Sequence, residues 1–130
     1  MKKTRIGIIG TGAIGKFHLD AYRRAASDVA EVVAVCDIDE PKAKRFAEEN
    51  GVPTYYKDCR EMLAEEKLDA VSVCTWNSAH RDCTVAALEA GAHVLCEKPM
   101  ATSAEDARAM KAAAEKAGKL LMVGFVRRFG

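Results

Sequence analysis

No stretch of this 130-residue chain is strongly basic or strongly acidic: 20 Lys and Arg stand against 19 Asp and Glu, a formal net charge of +1. Without a cationic run to meet a phosphate backbone or an anionic headgroup layer, neither a nucleic-acid partner nor a membrane partner is expected. Long apolar runs are missing too. The opening Met1-Lys2-Lys3-Thr4 imitates the start of a signal peptide, but glycines interrupt the apolar residues behind it within a few positions. Neither a secretion signal nor a membrane span is therefore expected.

Paired cysteines are also lacking. The five present, Cys36, Cys59, Cys74, Cys83 and Cys96, are odd in number and include no Cys-x-x-Cys. Three of them fall on or at the ends of predicted strands, where a cysteine usually serves as a small buried hydrophobe. The expectation is free thiols in a cytoplasmic protein and no bound metal, since a zinc site built from His80 and Cys83 has no second ligand pair. Repeats and low-complexity linkers are absent. At 49% hydrophobic and 30% charged residues, the chain is expected to form one globular domain over residues 1–130.

What is present is concentrated at the start. Arg5-Ile6-Gly7-Ile8-Ile9 is an apolar strand running into Gly10-Thr11-Gly12-Ala13-Ile14-Gly15, a Gly-x-Gly-x-x-Gly turn that opens a helix. In such a turn the first glycine permits the tight bend and the second lets the backbone approach a pyrophosphate. The third lets the helix pack closely on the sheet, and the helix N-terminus faces the phosphates. The helix is read with Ile14, Phe17, Ala21 and Ala25 on its inner face. Gly10 to Lys16 also matches the first part of a phosphate-binding P-loop, but Phe17 stands where that motif needs a magnesium-binding hydroxyl, so that reading is rejected.

Strands alternate with helices along the rest of the chain. Glu31 to Cys36 is a β-branched run. Asp39 caps a helix with Pro41 in its first turn and Asn50-Gly51 at its end. Thr54 to Tyr56 is a short extended piece, Asp58 to Glu66 is helical, and Asp69 to Thr75 is a strand. A helix from Ser78 to Ala90 leads to a strand at His93 to Cys96. Thr102 and Glu105 form a capping box for a helix carrying Ala107, Met110, Ala114 and Ala117 inward, and Leu120 to Val123 is the last strand. This spacing predicts a doubly wound parallel sheet in a three-layer α/β/α Rossmann fold, with strand order 3-2-1-4-5-6.

Ligands of such sheets lie beyond the carboxyl ends of the strands. Asp37, followed by Ile38, ends the second strand about twenty residues past the glycine turn, where a carboxylate can accept hydrogen bonds from an adenosine ribose and repel a 2′-phosphate. NAD is therefore expected over NADP; the bland alternative is that Asp37 caps the next turn. Strand four ends in Thr75-Trp76-Asn77, with His80 close behind, at the nicotinamide half of the expected cofactor. His80 either contacts cofactor or substrate or is an ordinary first-turn residue, while His18 and His93 read as structural. Strand five ends in Glu97-Lys98-Pro99. A lysine there can polarise a hydroxyl or move its proton, or it is a solvated surface residue beside a turn proline.

Taken together, the glycine turn, Glu97-Lys98-Pro99 and Gly124-Phe125-Val126-Arg127-Arg128-Phe129 resemble the N-terminal domain of the glucose-fructose oxidoreductase/inositol dehydrogenase/MocA family over nearly the whole chain. The resemblance implies oxidation of a secondary hydroxyl on a sugar, cyclitol or related polyol, with Lys98 at the reacting centre and Glu97 supporting it. It further implies Arg127 at the border of the substrate pocket. Trp76 replaces the proline common in the family's Thr-Pro-Asn turn; it either stacks near the cofactor or covers the sheet edge. Family members continue into a second domain that completes the active site and usually builds a homo-oligomer interface. The 130 residues alone are thus expected to bind NAD and turn over little. Rival readings are a non-catalytic, redox-sensing NAD module and a carbonyl or imine reductase with the same first domain.

Overall fold

The computed structural model describes residues 2–75, 79–97 and 104–124. Strands and helices alternate throughout: β1 (Thr4–Ile9), α1 (Ala13–Ala26), β2 (Ala30–Cys36), α2 (Glu40–Asn50), β3 (Thr54–Tyr56), α3 (Cys59–Glu66), β4 (Ala70–Val73), α4 (Ala79–Glu89), β5 (His93–Glu97), α5 (Ala104–Ala117) and β6 (Leu121–Gly124). All neighbouring strands pair in parallel. Their order is β3-β2-β1-β4-β5-β6, the doubly wound arrangement expected from the alternation.

Two apolar layers cover the sheet. Ile6, Ile8, Val32 and Val35 pack with Leu19 of α1 and Phe46 of α2 on one face. Ile9, Val71 and Val73 pack with Met62 of α3, Leu88 of α4 and Met110 of α5 on the other. The β1–β2 register passes from Ile6↔Val32 to Gly7↔Ala34, so Val33 is an extra residue in β2. Because of this bulge Val33 and Ala34 both face the α3–α5 layer, and the alternation resumes at Val35.

Two helix starts follow their sequence signals. Asp39 accepts from Lys42 N–H at 3.2 Å to open α2, which ends at Gly51 in the left-handed conformation (φ 67°). Asp58 accepts from Arg60 N–H at 2.9 Å to open α3. Of the expected α5 capping box, Thr102 lies outside the described residues.

The inner face of α1 differs from the expected one. Ile14 does pack inward and Ala21 is half-buried, but Phe17 is 47% exposed and Ala25 is exposed. The buried residues are Gly15, His18 and Leu19, with Tyr22 and Ala26 packed beside them. Two constraints set this rotation: Gly15 must lie against the strand, and two polar side chains reach one buried hydroxyl. Ser72 Oγ in β4 lies 3.0 Å from His18 Nδ1 and 2.5 Å from the Tyr22 hydroxyl. His18 is structural, as read, and so is His93, whose Nδ1 accepts from Leu120 N–H at 3.1 Å.

Candidate functional site

The carboxyl ends of β1, β2 and β4 are tied together. Gly10 N–H donates to the Cys36 carbonyl and Cys74 N–H to the Ile9 carbonyl, each at 2.7 Å. The glycine turn sits on this junction, between the strands at which the winding direction reverses. Gly10 has φ +104°, and a Cβ there would lie 2.9 Å from the Cys74 carbonyl. A Cβ on Gly15 would run into the Gly10 carbonyl oxygen. Both positions thus require glycine for the fold itself.

Gly12 is different. Its backbone is extended (φ −88°, ψ −158°), and a Cβ would meet nothing nearer than Lys42 Nζ at 3.8 Å. Among the described residues only Lys42 Nζ comes within 4 Å of the space that this missing side chain leaves over the turn. The cradle therefore fits a group that must approach the backbone closely, as a pyrophosphate does.

Charge supports the same fit. Whereas α2 and α3 each begin with a capping aspartate, α1 begins at Gly12 with no side-chain cap and no acidic residue in its first turn. A helix start without its own carboxylate keeps its positive dipole end for an anion from outside.

Asp37 stands beside the turn with its side chain 14% exposed. Oδ2 accepts from Thr11 N–H at 3.0 Å and from the Thr11 hydroxyl at 2.8 Å, while Oδ1 accepts from Asp39 N–H at 3.0 Å. Lys42 Nζ lies 4.0 Å from Oδ2. Burial acts to raise the carboxyl pKa, but the Asp39 and Thr11 hydrogen bonds and Lys42 together bring it below the ordinary carboxylate value. Capping the next turn and facing a ribose are therefore compatible. A carboxylate offers about four lone-pair sites; three are engaged here, and Oδ1 keeps one. The latch between Thr11 and Asp37, and the cation on α2 above the turn, had no spacing signal in the sequence because both join separate elements.

Beyond Asp37 opens a cavity of about 550 Å³ lined by Gly10, Asp37, Ile38, Thr75, Lys57, Asp58, Asp82 and three cysteines. Ile38, 71% exposed, adds an apolar side chain to its lining. On the floor, burial pushes the Cys36 thiol up to about 12, the charges of Cys59, Asp37, Asp58 and Glu61 adding to it. Cys59 and Cys83 meet in the wall with their sulfurs 3.0 Å apart, a contact that the sequence spacing did not suggest.

The structure thus brings together Gly10, Thr11, Gly12, Ala13, Ile14, Gly15, Asp37, Ile38 and Thr75 of the expected cofactor residues. His80 lies in the first turn of α4 and Glu97 is the last residue of β5. Trp76, Asn77, Lys98 and Arg127 lie outside the described residues. Among the described residues no group of His, Cys, Asp and Glu is arranged to hold a metal ion, and no helix is long and apolar enough to cross a membrane.

Residues 4–125 match the family described as an oxidoreductase family with an NAD-binding Rossmann fold. The chain is 42% identical over 127 residues to an inositol 2-dehydrogenase/D-chiro-inositol 3-dehydrogenase of Shouchella clausii, covering 96% of this chain and 36% of that protein. It is 43% identical over 126 residues to a D-glucoside 3-dehydrogenase of Escherichia coli, covering 96% of this chain and 35% of the relative. The WlbA dehydrogenase of Bordetella pertussis, solved in complex with NADH and UDP-GlcNAcA, superposes with a TM-score of 0.88 at 33% identity, over 95% of this chain and 37% of that one. The chain thus spans about a third of the length of the relatives it matches. The chain belongs to the Gfo/Idh/MocA oxidoreductase family, of which it is an NAD-binding Rossmann domain.

Proposed function

We propose that this domain holds the cofactor of a dehydrogenase that oxidises a secondary hydroxyl of a sugar, cyclitol or related polyol. The observation that carries this reading is the Gly12 cradle, open over an uncapped α1 and bordered by the latched Asp37. Gly10 to Gly15 would hold the pyrophosphate, Asp37 would accept hydrogen bonds from the adenosine ribose, and Ile38 would border the adenine. The anionic Asp37 opposes a 2′-phosphate and so favours NAD over NADP. The substrate class rests on relatives named as inositol and D-glucoside dehydrogenases.

When bound, NAD supplies the hydride acceptor. The chain's own contribution to the chemistry is assigned to Lys98, which follows Glu97 at the carboxyl end of β5. Its ammonium would orient and polarise the substrate hydroxyl, with Glu97 as its supporting carboxylate and Arg127 beside the substrate. Trp76, Asn77, His80 and Thr75 are assigned to the nicotinamide half.

The test has two arms. Calorimetric titration of the chain should show NAD binding more tightly than NADP; no binding of either would overturn the cofactor assignment. In a chain extended to the relatives' full length, Lys98→Ala should lower turnover of inositols or glucosides by about 100-fold or more while leaving the NAD Kd unchanged. Undiminished turnover would remove Lys98 from the reacting centre.

A further inference from the structure

Cys59 and Cys83 belong to no part of the phosphate cradle. One is the first residue of α3 and the other lies within α4. Their sulfurs are 3.0 Å apart, about 1 Å more than a disulfide bond. Both line the cavity that contains Asp37 and Ile38, so a small oxidant entering that cavity meets them.

The pair is also chemically asymmetric. The hydrogen bond from Cys83 brings the Cys59 thiol down to about 7, outweighing burial and the nearby Asp58, with Arg60 adding to the effect. Cys83 is raised by the same contact and by burial. Cys59, half-buried at the first residue of α3, is the more accessible sulfur and takes the part of the nucleophile, and the buried Cys83 that of the resolving group.

We propose that Cys59 and Cys83 are a redox-active dithiol in the cavity wall, which a hydroperoxide joins as a disulfide and which a bound dinucleotide shields. The Cys59 thiolate attacks the peroxide O–O bond; an S–O bond forms, the O–O bond breaks, and the departing oxyanion takes up a proton as an alcohol, or as water from hydrogen peroxide. The Cys83 sulfur then attacks the Cys59 sulfenic acid, losing its proton and expelling water as the S–S bond forms. Two thiols lose two electrons and two protons, and the hydroperoxide takes up both. The shielding rests on the reading of this cavity as the cofactor site; the bond formation does not.

To test it, the reduced chain is treated with equimolar hydrogen peroxide at neutral pH, its remaining thiols are alkylated, and the products are mapped by mass spectrometry. Blockable thiols should fall by two from the five in the chain, with peptides containing positions 59 and 83 cross-linked and dithiothreitol reversing the link. Cys83→Ser should leave Cys59 as a sulfenic acid that dimedone traps, with no cross-link. NAD at about ten times its Kd should slow cross-linking by about tenfold. Retention of all five thiols, or a link mapped to another pair, would overturn the dithiol. An unchanged rate in a chain shown by calorimetry to have NAD bound would overturn the shielding. A failure of NAD to bind in that calorimetry would instead count against the cofactor reading, and the cross-link map alone would decide the dithiol.

Discussion

Gly12 and Gly15 lie three positions apart in one turn and answer to different constraints. At Gly15 an added methyl collides with the Gly10 carbonyl, which is backbone and cannot swing away. Gly15→Ala should therefore cost about 3 kcal/mol and lower Tm by roughly 10 °C. At Gly12 the methyl has room and the backbone is already extended. Gly12→Ala should keep or slightly raise Tm while weakening NAD binding by about tenfold or more, read by thermal melts and calorimetry on the same samples. Asp37 needs a similarly split readout, because it holds Thr11 of the turn as well as being the residue proposed to bind the ribose. Asp37→Ala will loosen the turn and weaken both cofactors; only the ratio of NADP to NAD Kd isolates the 2′-phosphate, and it should fall on the order of tenfold. Hydrogen bonds and Lys42 hold the Asp37 pKa below its ordinary value of 3.8, so its stabilising effect is complete above that value in the unfolded chain and is lost as pH falls through the depressed one. The Tm gap between the native chain and Asp37→Asn should accordingly stay constant from about pH 8 to pH 5 and close below about pH 4.

Among the elements, those whose ends are written locally were the legible ones. Asp39 with Pro41 and Gly51 marks both ends of α2, and Asp58 marks the start of α3. The rotation of α1 was only half legible: the glycine turn put Gly15 against the sheet, but apolar spacing ranked Phe17 and Ala25 above His18 and Tyr22. The two polar residues point inward for a reason that lies on β4. Ser72, fully buried, accepts this arrangement by serving both His18 and Tyr22. Ser72→Ala should cost about 2 kcal/mol in chemical denaturation, and Tyr22→Phe should cost much less in that background than in the native chain. Equal costs in the two backgrounds would show that the contact does not fasten α1.

At the scale of the molecule, alternation and spacing sufficed for the strand order, and the glycine turn lies where they put it, at the carboxyl end of β1. Contacts joining distant elements stayed hidden: Lys42 over the turn, the Thr11 latch, and the Cys59–Cys83 meeting across α3 and α4. Such pairings have no fixed separation along a chain, so no spacing rule can report them. The start of α1, left without a carboxylate of its own, bears on how long the domain survives. A dinucleotide that completes this helix end binds only the folded form, adding about 2.7 kcal/mol at a hundredfold excess over Kd. Under limited proteolysis governed by global opening, NAD at that level should slow cleavage by about a hundredfold, and omission of NAD should restore the faster rate. The lifetime of the polypeptide is in this way tied to the supply of the metabolite it carries.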